Sequence, residues 1–278
     1  MWTNQLFAVI GADNAALVHR SRGLRKQILD QKHVTFLRQA EIAEAETLVW
    51  MQATTQLDKL LGTMQFKANT QLNITVASDF VRYLTLPPQQ VHMSADEKLA
   101  YAAATYREVY GAVADSWQLK LQDSPAHEVT TSAAIDNKLL EALTQIALNR
   151  ELKLASVQPY LMSAFNGLHS QLKHANGFLA IVETNRLLLI SLQDGKCQNL
   201  RVSVRANDWQ TGLVGLMTRE SLLNESSDKT LMIYAPAQKN TALSSMTGSA
   251  MTGWQVKQIG NLKSALSSVQ YSMLEAAL

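Results

Sequence analysis

Cysteine is almost absent from this sequence of 278 residues, which contains a single thiol, Cys197. One cysteine cannot form a disulfide within the chain, so the composition gives no sign of an oxidising compartment. Cys197 falls in a segment with strand character and has no histidine near it in sequence. We therefore interpret it as a buried structural residue and not as a nucleophile.

An excess of charge of one sign is also missing. Lys and Arg number 25 and Asp and Glu 23, which gives a formal net charge of +2. Such a balance does not generate the strong field that steers nucleic acid or an anionic membrane towards a protein. A small basic cluster does occur at an apparent turn between two short strands, where we expect it to be solvated, and we predict no nucleic-acid partner. Its members are His19, Arg20, Arg22, Arg25 and Lys26.

Long apolar runs are missing as well. The longest one, Leu187 to Leu192, is interrupted by Ser191. A helix that crosses a bilayer needs about 20 mainly apolar residues, so the sequence predicts no membrane span. The first residues, Met1 to Gln5, do not combine a basic region with an apolar core, and no signal peptide is predicted. These features lead us to expect a cytoplasmic protein.

Common catalytic motifs do not occur. The sequence has no Walker loop, no serine in a nucleophile elbow, and no metal-ligand spacing among its six histidines. The pattern therefore gives no support to a metalloenzyme or to an enzyme with a serine nucleophile. We predict no metal site.

The order of predicted elements is the informative feature. Apolar runs over Leu6–Ile10 and Ala15–His19, a third extended run and then alternating helix and strand form one unit, and a similar order starts again at Phe178. Two such β-β-β-α-β-α units in tandem are typical of duplicated ribonuclease-H-like, or actin-like, α/β domains. We place the first domain at 1–160 with a small inserted subdomain at about 80–124, and the second at 161–278 after a linking helix.

Phe80–Pro87 is a predicted strand that ends in Leu-Pro and leads to the predicted helix Ser94–Tyr110, and in Ala133–Leu143 a strand is followed by a helix that begins with Asp136. These stretches resemble the PilM-type pilus assembly proteins and the cytoplasmic part of GspL-type secretion proteins. In those families a strand ending in Leu-Pro leads into a helix with an acidic cap, and further on a strand is followed by a helix that begins with Asp. The stretches here are Phe80–Pro87, Ser94–Tyr110, Ala133–Leu143, Leu154–Pro159 and the turn Asp194-Gly195 with Arg201. The likeness covers most of the chain, through motifs that are structural.

The resemblance implies a scaffold that binds protein partners in an inner-membrane complex, such as a type IV pilus or a type II secretion-like assembly. GspL-type proteins continue into a membrane helix. This chain is more similar to the PilM arrangement, in which a separate membrane protein supplies the anchor through its cytoplasmic segment. The expected binding surface is a groove between the first large subdomain and the inserted one, near Arg82, Tyr83, Tyr101 and Tyr106. Tyrosines at helical spacing are also typical of a core, which is the alternative.

The family likeness also defines where a nucleotide would bind, because actin-like ATPases hold phosphates with two glycine-bearing hairpins. The residues at these positions are Asp13 and Asn14 in the first hairpin and Glu183 and Asn185 in the second. Ala15 and Asn185 stand where the family tends to have glycine. Ala235-Pro236 follows Thr230–Tyr234 in place of a Gly-Gly turn.

We therefore predict a pseudo-ATPase with a vestigial site, no enzymatic activity and no cofactor, while ATP with Mg²⁺ stays open. The alternatives are an active actin-like ATPase or small-molecule kinase, and a subunit of an unrelated assembly that shares the fold.

Overall fold

The computed structural model describes residues 4–21, 27–37, 46–122, 124–223, 228–238, 252–260 and 269–275. The elements up to residue 172 are β1 (Gln5–Ile10), β2 (Asn14–Arg20), β3 (Ile28–Thr35), α1 (Glu46–Gly62), β4 (Gln71–Val76), β5 (Val81–Leu86), α2 (Ala95–Tyr110), β6 (Trp117–Leu121), β7 (Thr130–Asp136), α3 (Asn137–Asn149), β8 (Lys153–Pro159), α4 (Tyr160–Gly167) and α5 (His169–Leu172). The remaining elements are β9 (Gly177–Val182), β10 (Arg186–Gln193), β11 (Lys196–Val204), α6 (Trp209–Leu223), β12 (Thr230–Tyr234) and β13 (Gln255–Gln258). Short 3-10 helices occur at Gly111–Ser116, Pro236–Gln238 and Val269–Leu274.

Two five-stranded sheets share one topology. Their strand orders are β3-β2-β1-β4-β8 and β11-β10-β9-β12-β13. In each sheet the first three strands along the chain are antiparallel neighbours, and the next two are parallel to the first strand. The two halves therefore match position by position, as a structural duplication requires.

The central strands explain why the apolar runs are continuous. Every residue of β9 is buried, and so are five of the six residues of β1. A strand that is covered on both faces needs apolar side chains at successive positions instead of alternate ones. The edge strand β3 shows the opposite pattern, with exposed and half-buried side chains along its length.

A third sheet is small and has the strand order β5-β7-β6. It arises from the segment between β4 and α3. Strands β5 and β6 fall within the predicted insertion at about 80–124, whereas β7 lies beyond its predicted end. The helix of this segment, α2, begins with a capping box. The Ser94 hydroxyl accepts a hydrogen bond from the Glu97 backbone N–H at 3.3 Å, and the Glu97 carboxylate accepts one from the Ser94 N–H at 2.7 Å. Gly111, at φ 77°, ends this helix.

The chain divides into two compact units. One contains Met1–Val81, Ile135–Asn166 and Ser264–Leu278, and the other contains Arg82–Ala134 and Gly167–Lys263. The second unit thus groups the small sheet with the second large sheet. Within this unit, side-chain contacts join the small sheet to the second large sheet, namely Lys196 to Glu128 at 2.7 Å and Thr85 to Asn199 at 3.5 Å. The domain bounds 1–160 and 161–278 stay a prediction, because proximity does not measure which segments fold together.

Some local predictions differ from the structure. The sequence pattern predicts the third strand near Val34–Phe36, whereas in the structure this strand is Ile28–Thr35. The basic cluster is not fully solvated: His19 and Arg20 are buried, and the Arg20 guanidinium lies 4.5 Å from the centre of the Phe7 ring. Arg22, Arg25 and Lys26 lie outside the described residues. The amphipathic pattern of residues 262–278 predicts a helix, and the described part of this segment forms a 3-10 helix at Val269–Leu274.

Candidate functional site

Helix α2 is fixed to the small sheet by a buried tyrosine. Tyr106 is fully buried, and its hydroxyl donates a hydrogen bond to the Arg82 backbone carbonyl at 3.1 Å. The Ser132 hydroxyl lies 3.3 Å from the hydroxyl oxygen of Tyr106. Burial is the main cause that raises the pKa of Tyr106 to about 12. Tyr110 and Trp117 pack edge to face beside it, so the inserted subdomain has an aromatic core of its own.

A groove of about 890 Å³ opens next to this core. It is bordered by the start of α2, by the segment that follows β5, and by strand β6 with the loop after it. Two exposed apolar side chains lie in it, Val91 and Leu99, which are 73% and 43% exposed. Tyr101 contributes a half-buried ring. Exposed apolar side chains in a concave surface are typical of sites that bind a ligand or a protein segment.

Charged groups border the same groove. Lys98 donates to the Ser124 carbonyl at 2.7 Å, and Lys120 projects from β6. Glu128 is paired with Lys196, and Asp96 lies in the first turn of α2. The sequence pattern predicts a strand at Trp117–Gln122, but sequence reasoning did not assign this strand, Lys98 or Lys120 to a binding surface. The adjacency of Pro87-Pro88 to the exposed Val91 is the signal that could have pointed to this region.

The four predicted partner-binding residues have different positions. Tyr101 lines the groove, and Arg82 is half-buried on β5. Tyr83 and Tyr106 are buried, so neither side chain is open to a partner. The alternative interpretation of tyrosines at helical spacing, as core residues, applies to Tyr106. Whether Arg82 and Tyr101 bind a partner stays a prediction.

The first hairpin of the nucleotide hypothesis lies in the first unit and is closed by its own side chains. The Gly11 N–H donates to the Asn14 carbonyl at 2.8 Å, and the Asn14 side-chain amide donates to the Asp13 carboxylate at 2.7 Å. A methyl group placed on Gly11 would lie 3.2 Å from the Asn14 side-chain nitrogen. The Asn14 side chain therefore covers the one glycine of this turn.

The second hairpin lies in the other unit. Its ends are joined by a hydrogen bond from the Glu183 N–H to the Arg186 carbonyl at 2.9 Å, and the Asn185 carbonyl accepts one from the Arg205 N–H at 2.8 Å. Glu183 is buried. None of the residues 11–14 and 183–186 has a positive φ angle. A backbone anion nest needs alternating right- and left-handed residues, a conformation that neither turn has.

The described ranges of the chain contain no group of three or more His, Cys, Asp or Glu side chains that could hold a metal. Cys197 is half-buried, its thiol lies 3.6 Å from the Asn199 carbonyl, and burial raises its pKa. No helix among the described residues has the length and apolar character needed to cross a membrane.

The repeated sheet topology and the insertion define an actin-like fold. The solved structure of a PilM–PilN type IV pilus biogenesis complex has this fold, with a TM-score of 0.65 over 98% of this chain and 97% of that one, at 13% identity. The cytoplasmic domain of EpsL, an inner-membrane component of the type II secretion system of Vibrio cholerae, gives 0.57 over 99% and 95% at 10% identity. A Bacteroides thetaiotaomicron protein with an actin-like ATPase fold gives 0.64 over 99% and 96% at 10% identity.

These comparisons confirm the predicted duplicated α/β fold and the predicted resemblance in structure to PilM-type and GspL-type proteins. No protein-family model and no curated protein sequence matches the chain.

Proposed function

We propose that this chain is a cytoplasmic scaffold of a type IV pilus or type II secretion-like assembly, recruited to the inner membrane by binding a membrane partner's cytoplasmic segment. The observation that carries this proposal is the likeness in fold, over nearly the whole chain, to a protein of a PilM–PilN complex and to the cytoplasmic domain of EpsL. Their names place them in machines of this kind. Fold alone does not fix function, so the groove has to supply the specific argument.

The groove beside α2 suits a protein segment. It combines exposed apolar side chains, Val91 and Leu99, with the half-buried ring of Tyr101 and with nearby lysines. Partly exposed aromatic residues next to apolar pockets are the usual anchors of protein interfaces. Tyr101 is therefore the residue that we assign to partner binding. Arg82 does not line the groove, and its role as a second contact rests on the family resemblance alone.

We further propose that the chain is a pseudo-ATPase, without catalytic activity and without a bound cofactor. The two turns that would hold phosphates contain no left-handed residue, and the Asn14 side chain covers Gly11. Tight phosphate binding by a loop depends on converging backbone N–H groups and on the close approach that glycine allows. The two turns lack the features that these conditions require, and we therefore infer that nucleotide binding has been lost.

Co-purification from detergent-solubilised membranes tests the scaffold proposal. A tagged wild-type chain should retain an inner-membrane pilus or secretion component, identified by mass spectrometry, and Tyr101→Ala should reduce its recovery at least tenfold. Leu148→Ala is the matched control, because Leu148 is 64% exposed on α3 and does not border the groove. Recovery of no such component with the wild type, or equal recovery with both variants, would contradict the proposal.

The second candidate is an active actin-like ATPase or small-molecule kinase. It is favoured by the fold itself and by the acidic Asp13 in the first turn. Calorimetry with 5 mM ATP and Mg²⁺ separates the two readings. The pseudo-ATPase predicts no heat of binding, whereas a saturable signal with one nucleotide per chain would favour the enzyme.

A further inference from the structure

Among the described residues, strand β6 is an edge strand of the small sheet, and its residues border the groove. Within the described residues it is the outermost strand of the small sheet and pairs with β7. The N–H of Gln122, directly after β6, donates to the Thr131 carbonyl in β7 at 2.8 Å. Because backbone groups alternate in direction along a strand, the N–H and C=O groups of Leu119 and Leu121 point away from β7.

The residues of β6 border the groove along most of the strand. Residues Gln118 to Gln122 all line it, although successive side chains of a strand project to opposite faces of a sheet. Leu86 and Pro87 at the end of β5 and Thr130 at the start of β7 line the groove as well. The groove therefore extends from β6 across one end of the small sheet, and the backbone of β6 borders it on one side.

We propose that an extended segment of the partner protein adds a strand to β6, by main-chain hydrogen bonds to Leu119 and Leu121. The inference rests on the proposed function and states how the partner is recognised. Strand addition satisfies unpaired backbone groups of an edge strand, while alternate side chains of the added segment supply specificity. Five residues of β6 offer about 16 Å of edge, at about 3.3 Å a residue.

The lining of the groove defines the added segment further. Val91 and Leu99 are exposed on the groove side, so they favour apolar side chains at alternate positions of the segment. Lys98 and Lys120 have no carboxylate within 4 Å among the described residues, whereas Glu128 is already paired with Lys196. Asp96 lies at the positive end of the α2 dipole, which compensates its charge. The segment is therefore apolar at alternate positions and carries at least one acidic side chain.

The test uses the full chain and peptides of 12 residues selected on it from a random library displayed on phage. The strongest binder is synthesised and then N-methylated at one residue at a time. Strand addition predicts that methylation weakens binding at least tenfold at every second residue and leaves the residues between them within twofold. It also predicts slower hydrogen exchange of the Leu119 and Leu121 amides in the complex.

Variants of β6 give the second measurement. Leu121→Pro removes the outward N–H, at an edge position where proline is tolerated, and should weaken the peptide at least tenfold. Leu121→Ala, which keeps the N–H, should weaken it less than threefold. Unchanged melting of both variants shows that they fold. Three results would overturn the proposal. They are a selection that yields no binding peptide, methylation effects without a two-residue period, and equal peptide binding by Leu121→Pro and Leu121→Ala.

Different results would contradict strand addition and the scaffold function, so the two proposals can be tested independently. If the Leu121→Pro chain still recovers the membrane component in full, strand addition is excluded and the scaffold stands. If peptides bind with the two-residue period but no membrane component is recovered, strand addition stands and the scaffold function is excluded.

Discussion

The Tyr106 hydroxyl donates a hydrogen bond to the backbone carbonyl of Arg82, at 3.1 Å, in the interior of the inserted subdomain. This bond connects α2 to β5 and so fixes one wall of the groove relative to the small sheet. A hydrogen bond made by a fully buried hydroxyl holds the two elements in place, so the tyrosine has a structural role. Tyr106 thus holds α2, which borders the groove, in place against the small sheet. Tyr101, about one and a half turns earlier on the same helix, has the ring that a partner can contact.

Tyr106→Phe should lower the free energy of unfolding by about 1–2 kcal/mol, because the Arg82 carbonyl loses the hydrogen bond that the tyrosine donates, while the Ser132 hydroxyl keeps its bond to the Leu84 carbonyl. Urea denaturation followed by tryptophan fluorescence measures this change. Tyr101→Phe is the control and should stay within about 0.5 kcal/mol of the wild type, since Tyr101 is half-buried at the surface. Equal losses in the two variants would show that the hydrogen bond contributes nothing.

The start of helix α2 could be predicted from the sequence more accurately than the part that this helix plays in the groove. Ser94 and Glu97 stand at the spacing of a capping box, and the structure forms both hydrogen bonds. The groove could not be predicted in this way, because it joins Val91 to residues of β6, about thirty positions away. That β6 is an edge strand depends on the order of strands in the sheet, which local residue patterns do not determine.

The nucleotide hypothesis shows a similar division. The missing glycines were visible in the sequence, and so was the acidic Asp13. The position of the Asn14 side chain over Gly11 was not, because asparagine in a turn can also adopt left-handed backbone angles. Here Asn14 does not, and its amide bonds Asp13 instead.

Gly177→Ala should destabilise the second large sheet strongly. Gly177 has φ 101°, and a methyl group there would lie 2.4 Å from the backbone oxygen of Thr230 in the neighbouring strand β12. Both the backbone angle and the clash oppose any side chain at this position. We expect a loss of about 3 kcal/mol or more in urea denaturation, or a chain that does not fold.

Gly212→Ala is the matched control for that substitution. Gly212 lies in α6, and a methyl group on it would meet nothing within 4 Å. Replacing a helical glycine by alanine reduces the conformational entropy of the unfolded chain and should stabilise by about 0.4–1 kcal/mol. If the two alanine variants had similar stability, the close approach of β9 and β12 would not be the reason for Gly177.

Stability should decrease as the pH falls below about 6.5, and His19 is a cause. Desolvation lowers the pKa of His19 below the ordinary 6.5, with a smaller opposing effect of Asp30, its partner across β2 and β3. The Nε2 atom of His19 is buried and has no hydrogen-bond partner among the described residues. Below pH 6.5 the unfolded chain therefore binds more protons at this residue than the folded chain does.

His19→Gln should reduce the loss of stability between pH 7.5 and pH 5.5, as measured by urea denaturation at the two values. His92→Gln is the control, because His92 is exposed, and it should keep the slope of the wild type. A slope that is the same in all three proteins would remove His19 from the explanation.

Replacing the buried carboxylate of Glu220 in α6 should affect the stability of the fold and also the neighbouring strands. Its side chain is 4% exposed, and it accepts hydrogen bonds from Arg201 Nε at 2.9 Å and from the Asn199 amide at 2.7 Å. Glu220→Gln leaves two nitrogen donors, those of Asn199 and the new amide, facing each other. We expect a loss of about 1.5–3 kcal/mol in urea denaturation, the range for hydrogen bonds to a charged group.

Arg201→Met is the comparison, and it should cost a similar amount, about 1.5–3 kcal/mol, because it leaves the buried Glu220 carboxylate without its cationic partner. Asn199 also accepts a hydrogen bond from Thr85 in β5, so a rotated Asn199 amide would disturb the contact between β11 and the small sheet. Amide hydrogen exchange in β5 should then increase in Glu220→Gln and not in Arg201→Met. Equal exchange in both variants would confine the role of Glu220 to the pairing of α6 with β11.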